Sequence, residues 1–148
     1  MRDFTLVIPT YNRPHLLASL LGYLQAERAE CHVLVADSSR PESLEANRKF
    51  VAKSNLDVEY VDFPVEMDPF DKFRESIHMV RTSFCALCAD DDLVVLDGVR
   101  HCLDALRVEP RAGVAQGYSF SFLCRSDGGM DLGNILYFTP TIDASTPL

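Results

Sequence analysis

The chain is expected to adopt an α/β fold, a mostly parallel sheet flanked by helices, and three observations carry that expectation. Short apolar runs rich in β-branched residues alternate along the chain with segments whose apolar residues recur at helical spacing. One run, Phe84 to Ala89, is apolar nearly throughout, the pattern of a strand buried on both faces of a helix-covered parallel sheet. Polar clusters then follow three of the runs, Thr10-Tyr11, Asp37-Ser38-Ser39 and Asp90-Asp91-Asp92. In open parallel sheets the ligand crevice lies outside the carboxyl ends of the strands. Loop-forming polar residues would also end a sheet that binds nothing, so this argument alone leaves both readings open.

Phe4 to Pro9 reads as the first strand. Asn12 can cap the following helix, with Pro14 in its first turn and Leu16, Leu17, Leu20, Leu21 and Leu24 on one face. Cys31 to Ala36 reads as a strand, and Pro41 opens a helix that runs to about Val51. A third strand covers Asp57 to Phe63, and Asp68-Pro69 starts a helix to about Val80. After the strand Phe84 to Ala89, Val99 to Arg107 reads as a helix with Asp97 as its cap. The pattern then changes: Val114 to Leu123 predicts one long strand, Ser126 to Gly129 a turn, and about Asn134 to Phe138 a returning strand. These elements are expected to form one domain over 1–138, with 139–148 as a tail.

Composition narrows the function. With 14 Lys and Arg against 22 Asp and Glu the formal charge is −8, which argues against a nucleic-acid or anionic-membrane surface. A length of 148 residues with 47% hydrophobic content suits a single core. No apolar run is long enough to span a bilayer and Met1-Arg2-Asp3 leads directly into a strand, so the expected compartment is the cytoplasm. The five cysteines lie mostly in apolar runs, as reduced core residues do. Cys85 and Cys88 form a C-x-x-C, but within a strand their odd spacing places them on opposite faces, unlike a zinc or redox pair.

The run Asp90-Asp91-Asp92 sits between two apolar stretches, at a strand end. Adjacent, partly buried carboxylates repel and either recruit a cation or hold a proton. Hard oxygen ligands of this kind suit Mg²⁺ or Mn²⁺ completed by water and substrate phosphate. An ordinary acidic turn between a strand and a helix is the competing reading. Neither G-x-G-x-x-G nor a P-loop follows the first strand, so phosphate binding would fall to a metal. Pro9-Thr10-Tyr11-Asn12-Arg13-Pro14 offers an aromatic ring and short polar groups, suited to a flat base or sugar.

Three strings together resemble a known family: Val7-Ile8-Pro9-Thr10-Tyr11-Asn12-Arg13, Val33-Leu34-Val35-Ala36-Asp37-Ser38-Ser39, and Leu87 to Asp92 followed by Leu96-Asp97-Gly98-Val99. The chain resembles the family 2 glycosyltransferases of the Rossmann-like GT-A nucleotide-diphospho-sugar transferase fold. The resemblance implies that Thr10 and Tyr11 line the base pocket, that Asp37 accepts a hydrogen bond from the base, and that the Asp run is a D-x-D-type element. Alignment of Leu96-Asp97-Gly98-Val99 with the family pattern makes Asp90 the ribose-side group and Asp91 the metal ligand; a literal D-x-D reading gives Asp90 and Asp92. Lys72 and Arg74 could meet the donor's base or phosphates, although the helix that carries them reads as solvent-facing. The implied activity is transfer of a sugar, with inversion, from a UDP-, dTDP- or GDP-sugar to a saccharide, lipid or protein acceptor, with Mn²⁺ or Mg²⁺ as cofactor. A non-catalytic sugar-nucleotide module and a nucleotidyltransferase are the alternatives.

Two departures qualify the resemblance. Family members usually carry Asp-Asp or Asp-Asn where this chain has Asp37-Ser38. The acceptor site and the carboxylate base of the family come from a second half, so the fold is expected to be truncated and no general base is assigned. Asp127, Asp131 and Asp143 are the acids available there, outside any family motif. A partner chain or oligomer could complete the site, with Val114 to Leu123 as a surface to cover.

Overall fold

The computed structural model describes residues 1–125 and 130–137. Its elements alternate as β1 (Phe4–Thr10), α1 (Pro14–Ala26), β2 (His32–Asp37), α2 (Pro41–Lys53), β3 (Asp57–Asp62), α3 (Pro69–Met79), β4 (Phe84–Leu87), α4 (Leu96–Val108), β5 (Ser119–Cys124) and β6 (Met130–Tyr137). They fall into two compact units, Met1–Leu96 and a second that begins at Asp97.

In the first unit four parallel strands lie in the order β3-β2-β1-β4. The core is the pair of central strands. Leu6, Val7, Ile8, Val33, Leu34 and Val35 are buried, and Leu17, Leu20, Leu21 and Leu24 of α1 cover them. Burying the larger of these side chains contributes about 1.5–3 kcal/mol each, before entropy is subtracted. Each helix has Pro at its first turn, where a missing N–H costs nothing. Asp68 caps α3, its carboxylate accepting from Phe70 N–H and Asp71 N–H.

Several expectations need correction. The run Phe84 to Ala89 is not a strand buried on both faces: β4 pairs with β1 at the edge of the described sheet, Cys85 is exposed and Leu87 is 47% exposed. The continuous burial belongs to β1 and β2, which are covered on both sides. Asn12 does not cap α1; Arg13 occupies that position without a side-chain cap. α4 starts at Leu96, so Asp97 lies in its first turn. The long strand from Val114 is short, because 114–118 are not extended into a ladder and β5 starts at Ser119. β5 and β6 form an antiparallel hairpin. The 126–129 turn and the 139–148 tail lie outside the described residues.

Candidate functional site

Strand register assembles the site. Thr10 pairs with Asp37 and Asp37 with Asp62, so the ends of β1, β2 and β3 form one row at the carboxyl edge. Cys88 N–H donates to Val7 O over 3.0 Å, which carries the chain past β4 and delivers the Asp run beside Thr10. The Thr10 hydroxyl donates to Asp90 Oδ2 at 2.6 Å, and both residues are buried. Burial pushes the Asp90 carboxyl above its ordinary value, while the Thr10 bond and the Arg13 charge pull it back.

Arg13 supplies the cation that the carboxylates require. Its Nη2 stands 2.5 Å from Asp90 Oδ1 and its Nη1 3.0 Å from Asp91 Oδ2, so one guanidinium spans two neighbouring carboxylates. Asp90 Oδ1 is buried and receives no aligned hydrogen bond from any described residue, making the Arg13 contact one of charge. Asp91 is half-exposed and Asp92 exposed. The backbone that aims Arg13 is fixed by Asn12, which holds a left-handed φ of 55°. Asn12 N–H donates to Ser39 Oγ at 2.7 Å, and Asn12 Oδ1 accepts from Arg40 N–H at 2.9 Å. Those two bonds tie the loop after β1 to the loop after β2.

Asp37 is fully buried and its oxygens already have donors. Ser39 N–H donates to Oδ1 at 2.7 Å; Asn47 Nδ2 donates to Oδ2 at 2.7 Å, and the Tyr60 hydroxyl donates to the same oxygen. In this arrangement the carboxylate fixes the loop Ser38-Ser39. Burial, then the bond to Asp37, pushes the Tyr60 phenol up.

Tyr11 forms a more open rim. Its hydroxyl donates to Glu66 Oε1 at 3.3 Å, and Arg40 Nη2 lies 2.7 Å from the same oxygen. Lys72 corrects the expectation of a solvent-facing helix: it is only 4% exposed, because the first turns of α3 lie over the ends of β1 and β2. Its Nζ donates to Thr10 O at 2.8 Å and Ser38 Oγ at 2.9 Å. Burial pulls the ammonium below the ordinary lysine range, against the nearby charges of Asp37 and Asp90. Arg74 is exposed and pairs with Asp71 and Glu75 on its own helix.

Thr10, Asp90, Asp91 and Arg13 are thus brought together; Asp37 lies beneath the loop, and Tyr11 stands with Glu66 and Arg40. Asn47, Tyr60, Glu66 and Arg40 were not legible from the sequence, since their partners depend on helix phase and loop path. Arg13 had a signal, namely paired acids in need of a counter-charge two residues beyond Tyr11. Among the described residues no three His, Cys, Asp or Glu side chains converge as a closed metal cage. The exposed carboxylates of Asp91 and Asp92 do suit a Mg²⁺ or Mn²⁺ ion, which usually takes one or two carboxylates and completes its shell with water and phosphate.

A parallel sheet whose acid run follows the strand beside β1 at the carboxyl edge, flanked by helices in this order, is the GT-A fold of glycosyltransferases. The chain belongs to the family described as glycosyl transferase family 2, whose model matches residues 5–143. It is similar in structure to a mannosyltransferase, PcManGT from Pyrobaculum calidifontis, solved in complex with GDP-Man and Mn2+, with a TM-score of 0.61, 19% identity, 72% of this chain covered and 33% of that one. It is also similar to S. aureus TarS 1–349 in complex with UDP-GlcNAc, with a TM-score of 0.57, 20% identity, 78% of this chain covered and 37% of that one. A further structure of S. aureus TarS gives a TM-score of 0.55 at 21% identity over 73% of this chain and 20% of that one. The chain therefore spans about a third or less of the length of the first and last of these and somewhat over a third of the other. No curated protein matches significantly. Among the described residues no helix is long and apolar enough to cross a membrane.

Proposed function

We propose that the carboxyl edge of the sheet binds a nucleotide-diphospho-sugar and that the chain serves the donor side of an inverting sugar transfer to an acceptor hydroxyl. The observation that carries the reading is the Thr10–Asp90–Arg13–Asp91 cluster: a buried carboxylate with an incompletely satisfied oxygen, next to accessible carboxylates and an aromatic rim. Membership of family 2 supports it, as do the GDP-Man and UDP-GlcNAc in the names of the similar structures.

In this reading Tyr11 flanks the base and Thr10 holds Asp90, whose Oδ1 accepts from a ribose hydroxyl. Asp37 acts on the base through the Ser38-Ser39 loop that it fixes. Asp91 and Asp92 would hold Mn²⁺ or Mg²⁺, which when bound supplies positive charge to the departing diphosphate. The acceptor's base is assigned to no residue: Asp131 is paired with Arg125 at 2.8 Å, and Asp127 and Asp143 lie outside the described residues.

Calorimetric titration of UDP, dTDP and GDP, with and without Mn²⁺, tests the reading. Measurable binding of at least one diphosphate is expected with Mn²⁺ only, and Asp91→Asn should weaken it by about 1.5–3 kcal/mol, the scale of a lost charged contact. Equal affinity in chelator and in Mn²⁺ would remove the metal from the proposal; no binding of any nucleotide would remove the donor site.

A further inference from the structure

We infer that Arg13 is a built-in counter-cation that competes with the divalent metal for Asp91, and that a donor diphosphate relieves the competition, so that metal and donor bind cooperatively. The inference rests on the donor-site reading above and adds a coupling to it. Its basis is the asymmetry of the guanidinium fork. The half on Asp90 meets a fully buried side chain, whereas the half on Asp91 meets a carboxylate that is 50% exposed, and Arg13 itself is 43% exposed. The Asp90 contact is the anchor and the Asp91 contact is the one open to exchange.

The placement of Arg13 is enforced from elsewhere. Asn12 is held in its left-handed conformation by Ser39 and Arg40, which fixes the backbone from which the Arg13 side chain departs. The charges balance already: Asp90 and Asp91 face Arg13, with Lys72 close enough to feel Asp90. A divalent ion added to Asp91 then shares that carboxylate with a guanidinium and is repelled by it. A diphosphate offers Arg13 an alternative oxyanion partner, and the planar guanidinium takes phosphate oxygens in paired hydrogen bonds. Coupling of this kind is reciprocal: donor tightens metal by the factor by which metal tightens donor.

Free Mn²⁺ counted by electron paramagnetic resonance, over the full 148-residue chain with and without GDP or UDP, tests the coupling without any assay of transfer. Arg13→Gln should bind Mn²⁺ alone about fivefold more tightly than the parent, the scale of a part-exposed ion pair, and should lose the matching part of the tightening that nucleotide produces, the remainder coming from the ion's own contact with the diphosphate. Arg13→Lys, which keeps the charge but cannot fork across two carboxylates, should fall between them. Parent-like Mn²⁺ affinity and parent-like nucleotide coupling in Arg13→Gln would overturn the inference while leaving the donor site intact. A parent chain that binds Mn²⁺ in no nucleotide condition would overturn both, and the two failures are told apart by that measurement on the parent.

Discussion

Lys72 on α3 and Thr10 at the end of β1 are joined by a bond from Nζ to the Thr10 carbonyl oxygen of 2.8 Å, inside the protein. The same ammonium reaches Ser38, so one buried cation ties the ends of two central strands together beneath the Asp37 and Asp90 carboxylates. Replacement by an apolar side chain would leave a carbonyl, a hydroxyl and two buried acids with fewer partners. Lys72→Met is expected to cost about 1–3 kcal/mol in urea unfolding at pH 7, the range for stranding buried polar groups. Because burial lowers the native pKa below the ordinary 10.5, the unfolded chain binds more protons between those two values, and the parent's unfolding free energy gains a contribution that rises with pH in that window. The variant should lack that rise. A variant as stable as the parent, with the same alkaline slope, would show that the buried ammonium is dispensable.

Asn12 should be sensitive to backbone chemistry as well as to hydrogen bonding. Asn12→Ala loses the acceptor for Arg40 N–H and must hold a φ of 55° with a side chain that disfavours it, so a loss of about 1–2 kcal/mol is expected. Asn12→Gly relieves the backbone part and should be the milder change. The order Gly milder than Ala, read from denaturant midpoints, is the test; the reverse order would mean that the φ carries no cost here.

Asp37 depends on Asn47 and Tyr60. Asn47→Ala removes the donor to a buried carboxylate oxygen and should cost about 1.5–3 kcal/mol. Tyr60→Phe should cost less, because Tyr60 is only half-buried, and it should also remove one phenol from those that ionise above the ordinary value in an ultraviolet pH titration, since burial and Asp37 push that phenol up. If Tyr60→Phe leaves the number of phenols titrating above the ordinary range unchanged, Tyr60 is not buried against Asp37 in solution.

The two cysteines of the C-x-x-C should differ in reactivity. Cys85 is exposed on the edge strand, whereas burial, followed by the charges of Asp92, Asp90 and Asp91, pushes the Cys88 thiol up to about 12. Only the thiolate attacks disulfide reagents, so at pH 8 Cys88 should stay silent in the native chain. Stopped-flow labelling with an aromatic disulfide should show a fast phase whose amplitude Cys85→Ser lowers by one thiol and Cys88→Ser leaves unchanged. A fast phase that disappears in Cys88→Ser would place that thiol at the surface.

The order of strands and helices, the leucine face of α1, the Asp68 cap and the family were legible in the sequence because each depends on residues near one another in the chain. Apolar period, Pro at a first turn and a polar cluster after a strand are local signals, and a parallel sheet converts them into a shared edge through register alone. What only the tertiary structure decided is which groups meet at that edge. Strand order made β1 and β2 central and left β4 at the edge of the described sheet, so a run that looked doubly buried exposes Cys85 and Leu87. The path of α3 over the strand ends buried Lys72, whose neighbours in sequence gave it the look of a surface lysine. The pairing of Arg13 with Asp90 and Asp91, and of Asp37 with Asn47 and Tyr60, joins residues far apart in the chain, and no periodicity encodes such partners. Their meeting follows from packing geometry, where a shift of one residue in register or one third of a helical turn would send each side chain elsewhere.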